Sequence, residues 1–276
     1  MASTTISLSE FQERVERTQQ LMAKERLDAV LVFSTESEPA GVRYFSDYWP
    51  SFETAGVLIP QAGAATLLIG PESLTFASAR SKIPNILRVK DFRESSMPDY
   101  PGSKLASWKE ILKANRIKKL GVSGWHMFPG TILKNIEDVL GRGNVCDADL
   151  LLRQVTLRKS TQELRCLREA AKISELGFQA VLESIKPGMT EVQLAGIAAG
   201  AMLASGAEST GYPIWCCSGP NSTQAISRPT HRKVKKGEII HFSVGAKVSG
   251  YSASIGRPVV LGKCPAATNK FLQVGL

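Results

Sequence analysis

Gly219–Lys263, GPNSTQAISRPTHRKVKKGEIIHFSVGAKVSGYSASIGRPVVLGK, decides how the rest of the chain is read. It holds two apolar runs, Glu238–Ala246 and Tyr251–Leu261, rich in Val and Ile. Ser249-Gly250 separates them. Short runs of this kind, bounded by Gly and Pro, read as strands meeting in a hairpin. Asn221, Ser222 and Pro229-Thr230 mark a loop that leads into the first strand. The basic residues Arg228, Arg232, Lys233, Lys235 and Lys236 lie in the same segment. No aromatic residue is interleaved among them for base stacking, so the run reads as a solvated loop with no nucleic acid as partner.

Upstream of this stretch the chain carries helix signals. Ser160 with Glu163, and Thr190 with Gln193, form capping boxes that open two helices. Leu164, Leu167, Ala171, Leu176 and Val181 are expected along the apolar side of the first, which Lys186-Pro187-Gly188 stops. Ser205-Gly206 ends the second. Toward the N-terminus, Ser9 with Gln12 opens a helix carrying Phe11, Val15, Thr18 and Met22. Strands follow at Asp28–Ser34, Gly56–Pro60, Ala65–Gly70, Ile86–Val89 and Lys119–Ser123. Helices over Pro71–Ala79, Ser107–Asn115 and Pro129–Leu140 alternate with them. Such alternation predicts a sheet sandwiched between helices. Two domains result, 1–155 and 156–276, in an α/β (α+β) chain.

Composition narrows the function classes. With 276 residues, 43% hydrophobic and 21% charged, the chain is long enough for a substantial core and is not a disordered polymer. The net charge of +9 gives a weak bias toward anionic ligands. Five cysteines, Cys146, Cys166, Cys216, Cys217 and Cys264, have neither zinc spacing nor a disulfide pattern, which points to a reducing cytoplasm. The N-terminus has no basic start followed by an apolar run, and no membrane partner is expected. His126 stands alone after a strand, with no second ligand spaced for metal.

The order Asn221, Pro229-Thr230, Gly237-Glu238, Val244-Gly245, Gly250-Tyr251 and Arg257 resembles the core motif of the creatinase/aminopeptidase P/prolidase family, the M24 or pita-bread hydrolases. Arg158 through Glu163, and Lys186-Pro187-Gly188-Met189-Thr190-Glu191, resemble the opening of the pita-bread domain, and Tyr44-Phe45-Ser46 a short signature of the N-terminal domain. In that signature Asp47 stands where a glycine is usual. The resemblance implies a creatinase-like N-terminal α/β domain, which helps form homodimers, ahead of a pita-bread domain. It also implies further His and Glu ligands on strands after Leu276, so the domain reads as incomplete.

The same resemblance places the family's two metal-ligand aspartates on Ser243 and Ser254, and its loop histidine on Ile226. Neutral hydroxyls are poor substitutes for bridging carboxylates, so no metal and no cofactor is expected here. The function implied is hydrolysis of a C–N bond in a small-molecule amide or a short X-Pro peptide, with the metal-site residues replaced. The alternative is an inactive homologue that binds a small ligand or a protein. Ser243, Ser254, Tyr251 and Arg257 are the candidate substrate-binding residues, and Arg257 would pair with a carboxylate. His231 and His241 are the candidate catalytic imidazoles near the motif.

Overall fold

The computed structural model describes residues 5–224 and 226–274. The chain divides into two compact units, Ile6–Lys159 and Ser160–Leu276.

The first unit runs α1 (Leu8–Glu25), β1 (Ala29–Ser34), α2 (Ala40–Ser46), β2 (Ala55–Pro60), β3 (Thr66–Ile69), α3 (Leu74–Arg80), β4 (Ile86–Arg88), α4 (Trp108–Ala114), β5 (Leu120–Ser123), α5 (Gly130–Leu140), β6 (Val145–Asp147) and α6 (Asp149–Thr156). Its six strands form one mixed sheet in the order β4-β3-β2-β1-β5-β6. The central strand β1 pairs antiparallel with β2 and parallel with β5. Because successive side chains of a strand point to opposite faces, β1 feeds two cores. Val30 and Val32 join Met22 of α1, Phe45 of α2, Ala77 of α3 and Val155 of α6. Ala29, Leu31 and Phe33 join Ile111 of α4 and Ile136 of α5. A strand covered on both faces is apolar throughout, which is why Ala29–Ser34 shows no polar alternation.

Local signals explain most of the boundaries. Ser107 caps α4 in a full capping box with Glu110. The cap of α1 corrects the expectation for Ser9: the helix starts at Leu8, and Ser7 accepts from the Glu10 amide at 3.3 Å. Asp47 closes α2 in the left-handed region at φ 58°. Asp tolerates that conformation better than most residues, so it serves where a glycine would be ordinary.

The second unit runs α7 (Thr161–Ser184), α8 (Glu191–Ala204), β7 (Ser209–Thr210), β8 (Trp215–Ser218), β9 (Ile239–Val244), β10 (Ala246–Val248), β11 (Tyr251–Ser252), β12 (Ile255–Val260) and α9 (Ala266–Val274). Both expected capping boxes are present, Ser160 with Glu163 and Thr190 with Gln193. The buried face of α7 differs from expectation. It consists of Cys166, Ala170, Ile173, Ser174, Gly177 and Val181, whereas Leu164 and Leu176 are 38% and 47% exposed. Small side chains let α8 approach closely: a Cβ on Gly177 would lie 2.5 Å from Met202 Cγ. Of the residues expected on this face Val181 is buried, and the rest of the contact is made largely by residues with little bulk.

The two apolar runs around Ser249-Gly250 are each broken once. The Ser249-Gly250 turn has both residues at positive φ, 48° and 86°. That is the type I′ geometry that suits a two-residue hairpin, and it joins β10 to β11. Gly245 separates β9 from β10, and the two strands enter different sheets, β12-β9-β8 and β11-β10-β7. The core of this unit gathers Ala170, Ile173 and Val181 of α7, Leu194 and Met202 of α8, and Ile240, Phe242 and Val244 of β9.

Candidate functional site

Ser243 lies near the end of β9, and Ser254 lies between β11 and β12. The strand pairing sets Ser243 opposite Gly256, which carries no side chain, so the space over Ser243 stays open. Tyr212, just after β7, fills part of it. Its hydroxyl lies 2.8 Å from Ser243 Oγ and 2.7 Å from Ser254 Oγ, so one phenol bridges both serines. The ring is held from two sides. A Cβ on Gly245 would sit 2.7 Å from Tyr212 Cε1, and the Trp215 ring meets Tyr212 edge-on at 6.3 Å. Ser243 is buried and Ser254 is exposed, so the cluster opens to solvent on the Ser254 side.

The other two candidate substrate-binding residues are placed elsewhere. Arg257 pairs across the strands with Phe242, one position out of step with Gly256 and Ser243. Alternation therefore takes it off the serine face. It is exposed, and its guanidinium donates to the neighbouring Gly256 carbonyl at 2.7 Å. Tyr251 donates to Glu163 Oε1 at 2.9 Å, which ties the hairpin to the first turn of α7. Of the two imidazoles, His231 is exposed in the loop. His241 sits on β9 two residues before Ser243 and so on the same face, between Cys217 on one neighbouring strand and Pro258 on the other. Ile226 is 82% exposed.

The loop that carries Ile226 is fastened at both ends by a residue that sequence reasoning did not single out. Glu191, the first residue of α8, is fully buried. Its Oε1 accepts from the Ser218 amide at 2.6 Å and the Ser218 hydroxyl at 2.8 Å. Its Oε2 accepts from the Thr230 amide at 2.9 Å and the Thr230 hydroxyl at 2.7 Å, and Asn221 Nδ2 donates to both oxygens at 3.2 Å. Burial alone would raise the pKa of this carboxyl, but the bonds from Thr230 and Ser218 outweigh it and hold the pKa below the usual glutamate value. The same carboxylate bears on Cys216. Burial first, then the charge of Glu191 and the neighbouring Cys217, push that thiol far above its usual range. Both vicinal cysteines are buried in β8, away from solution reagents. Arg232, from the basic run, is paired with Glu238 (Nη1 to Oε2, 2.9 Å) and also donates to Ser218 Oγ.

The donor set at Tyr212, Ser243 and Ser254 is three neutral hydroxyls. A pair of divalent cations is held by carboxylates and imidazoles, and these residues do not fit one. Among the described residues, no group of three or more His, Cys, Asp or Glu is placed to hold a metal ion. Nor is any helix among them long and apolar enough to cross a membrane.

The architecture is that of the pita-bread hydrolases. The X-Pro aminopeptidase of Thermotoga maritima superposes with a TM-score of 0.80 at 22% identity, covering 94% of this chain and 68% of that one. The Creatinase/Prolidase N-terminal domain matches residues 14–156, and Metallopeptidase family M24 matches residues 165–275. The chain belongs to the creatinase/aminopeptidase P/prolidase family. Among curated relatives, the Xaa-Pro dipeptidase of Pyrococcus furiosus is 23% identical over 91% of this chain, and the creatinase of a Bacillus species 25% over 93%. The chain spans less than two thirds of either relative, 65% and 62%.

Proposed function

We propose that this protein hydrolyses a C–N bond in a short X-Pro peptide or a small amide, by a route that uses no cation at Ser243 and Ser254. Family membership supports the reaction class, since relatives are named as Xaa-Pro dipeptidase and creatinase. The hydroxyl cluster is the observation that carries the metal-free route. Three hydroxyls hold three hydrogens, and the two mutual bonds use two. One hydrogen is left over; when Ser243 donates to Tyr212 and Tyr212 to Ser254, it lies on Ser254 at the open side, suited to the carbonyl oxygen of a scissile amide as its negative charge develops. His241, about 6–7 Å along the strand from Ser243 by strand rise and on the same face, supplies the general base, since its imidazole is the titratable group of β9 nearest the cluster and can reach the scissile bond through one water. A homodimer in the cytoplasm completes the proposal.

The test is release of free proline from an X-Pro dipeptide, and of urea from creatine, before and after exhaustive chelation. Turnover that survives chelation is the expected result. His241→Asn is expected to lower kcat by about 10²-fold or more, while His231→Asn leaves it within about twofold. Turnover that disappears on chelation and returns with Mn²⁺ contradicts the metal-free route. Absence of turnover on both substrates contradicts hydrolysis and leaves the binding-only homologue.

A further inference from the structure

The family is built around a cation site, and the residues here do not fit one; the cause reaches beyond the two serines. We propose that Tyr212 is the specificity-determining residue of this cleft, the group that keeps cations out even when carboxylates are restored. The inference concerns the same cleft as the proposed function but does not depend on hydrolysis.

The geometry gives the reason. An aspartate carries its oxygens about one C–O bond length, ~1.2 Å, further from the backbone than serine does. The Tyr212 hydroxyl already lies at hydrogen-bond distance from both serine oxygens, 2.8 and 2.7 Å. A carboxylate at either position, in the rotamer the serine uses, would push its oxygen well inside contact distance of the phenol. The phenol cannot simply withdraw. Tyr212 Cε1 is packed against Gly245, where even a Cβ would come within 2.7 Å, and the Trp215 ring lies edge-on to it. Gly245 in turn is pressed against the Ala253 carbonyl, which a Cβ would meet at 2.2 Å. The oxygen of Tyr212 therefore stands in the space between positions 243 and 254 where a cation bridging two carboxylates would have to lie. It is held there by packing as well as by its two hydrogen bonds.

The test compares Ser243→Asp/Ser254→Asp with Ser243→Asp/Ser254→Asp/Tyr212→Phe in the whole chain. Mn²⁺ binding is followed by the electron paramagnetic resonance signal of the free ion. Removing the phenol oxygen is expected to tighten Mn²⁺ binding at least tenfold. A stability cycle with Ser243→Asp alone adds a readout that needs no metal. The melting temperature is expected to fall on Ser243→Asp when Tyr212 is present, and by less than half as much in the Tyr212→Phe background, since residues in contact are non-additive. If neither aspartate pair binds Mn²⁺, the cycle alone decides. Equal Mn²⁺ affinity with and without the phenol, or equal stability losses in both backgrounds, overturns the assignment.

Discussion

Glu191→Ala is expected to destabilise the C-terminal unit by about 2–3 kcal/mol, the cost of leaving the buried Ser218 amide without an acceptor at ~1–3 kcal/mol, with a smaller loss at the exposed Thr230 end. The hydroxyls of Ser218 and Thr230 can turn to other partners. The buried Ser218 amide cannot, whereas the amide of Thr230, an exposed residue, can take a water in place of the carboxylate. For a unit of this size the loss corresponds to a fall in melting temperature of roughly 10 °C or more. The loop between Ser218 and Thr230 should become sensitive to protease at the same time, because Glu191 fastens both of its ends. A melting temperature within about 2 °C of the parent would show that the network contributes little.

Acid should reproduce part of this effect. The folded-state pKa of Glu191 is depressed, so its contribution is complete above the unfolded value of about 4.3 and is lost as pH falls through the lower folded value. Stability is therefore expected to decline below about pH 4 in the parent. The decline should be shallower in Glu191→Gln, which starts lower and has no proton to gain at that position.

Gly245→Ala is the second large effect, and it works by crowding. Gly245 has an ordinary φ, so the cause is space and not backbone strain. The new methyl would meet the Ala253 carbonyl at 2.2 Å and Tyr212 Cε1 at 2.7 Å. The first neighbour is backbone on the segment between β11 and β12 and cannot rotate away. Overpacking of this kind costs ~1–3 kcal/mol where side chains can yield, and the upper end or beyond is expected here. Ser254 lies beside Ala253, so its bond to Tyr212 should break as the segment moves. Urea unfolding measures the first effect. The second predicts that a further Tyr212→Phe change costs less in Gly245→Ala than in the parent. Full stability in Gly245→Ala would contradict the described packing.

Much of the fold is legible in the sequence because it is specified locally. Ser160 and Thr190 each stand three residues before the residue that completes a capping box, and both helices start where those pairs place them. The Ser249-Gly250 turn is legible for the same reason. Elements set by tertiary packing are harder to see. α2 and α6 are short helices whose apolar residues are buried by the sheet, and Gly245 looks like any strand glycine until Ala253 is placed against it. The site divides similarly. Ser243 and Ser254 follow from the order of residues around them. Tyr212 does not, since it lies 31 positions before Ser243 with no motif to announce it. Glu191 has a local explanation as an acidic residue in the first turn of a helix, which conceals its role across the loop. Arg257 is on the right strand but on the other face, which a one-residue register decides, and Tyr251 is on β11 in the other sheet, bonded to Glu163.

Crystals of the parent protein soaked in Mn²⁺ and measured at the manganese absorption edge show whether a cation can lie between the serines. No anomalous density is expected between Ser243 and Ser254, with Tyr212 Oη in that position bonded to both serines. A stoichiometric anomalous peak between the two serine oxygens, with the phenol displaced, would contradict it.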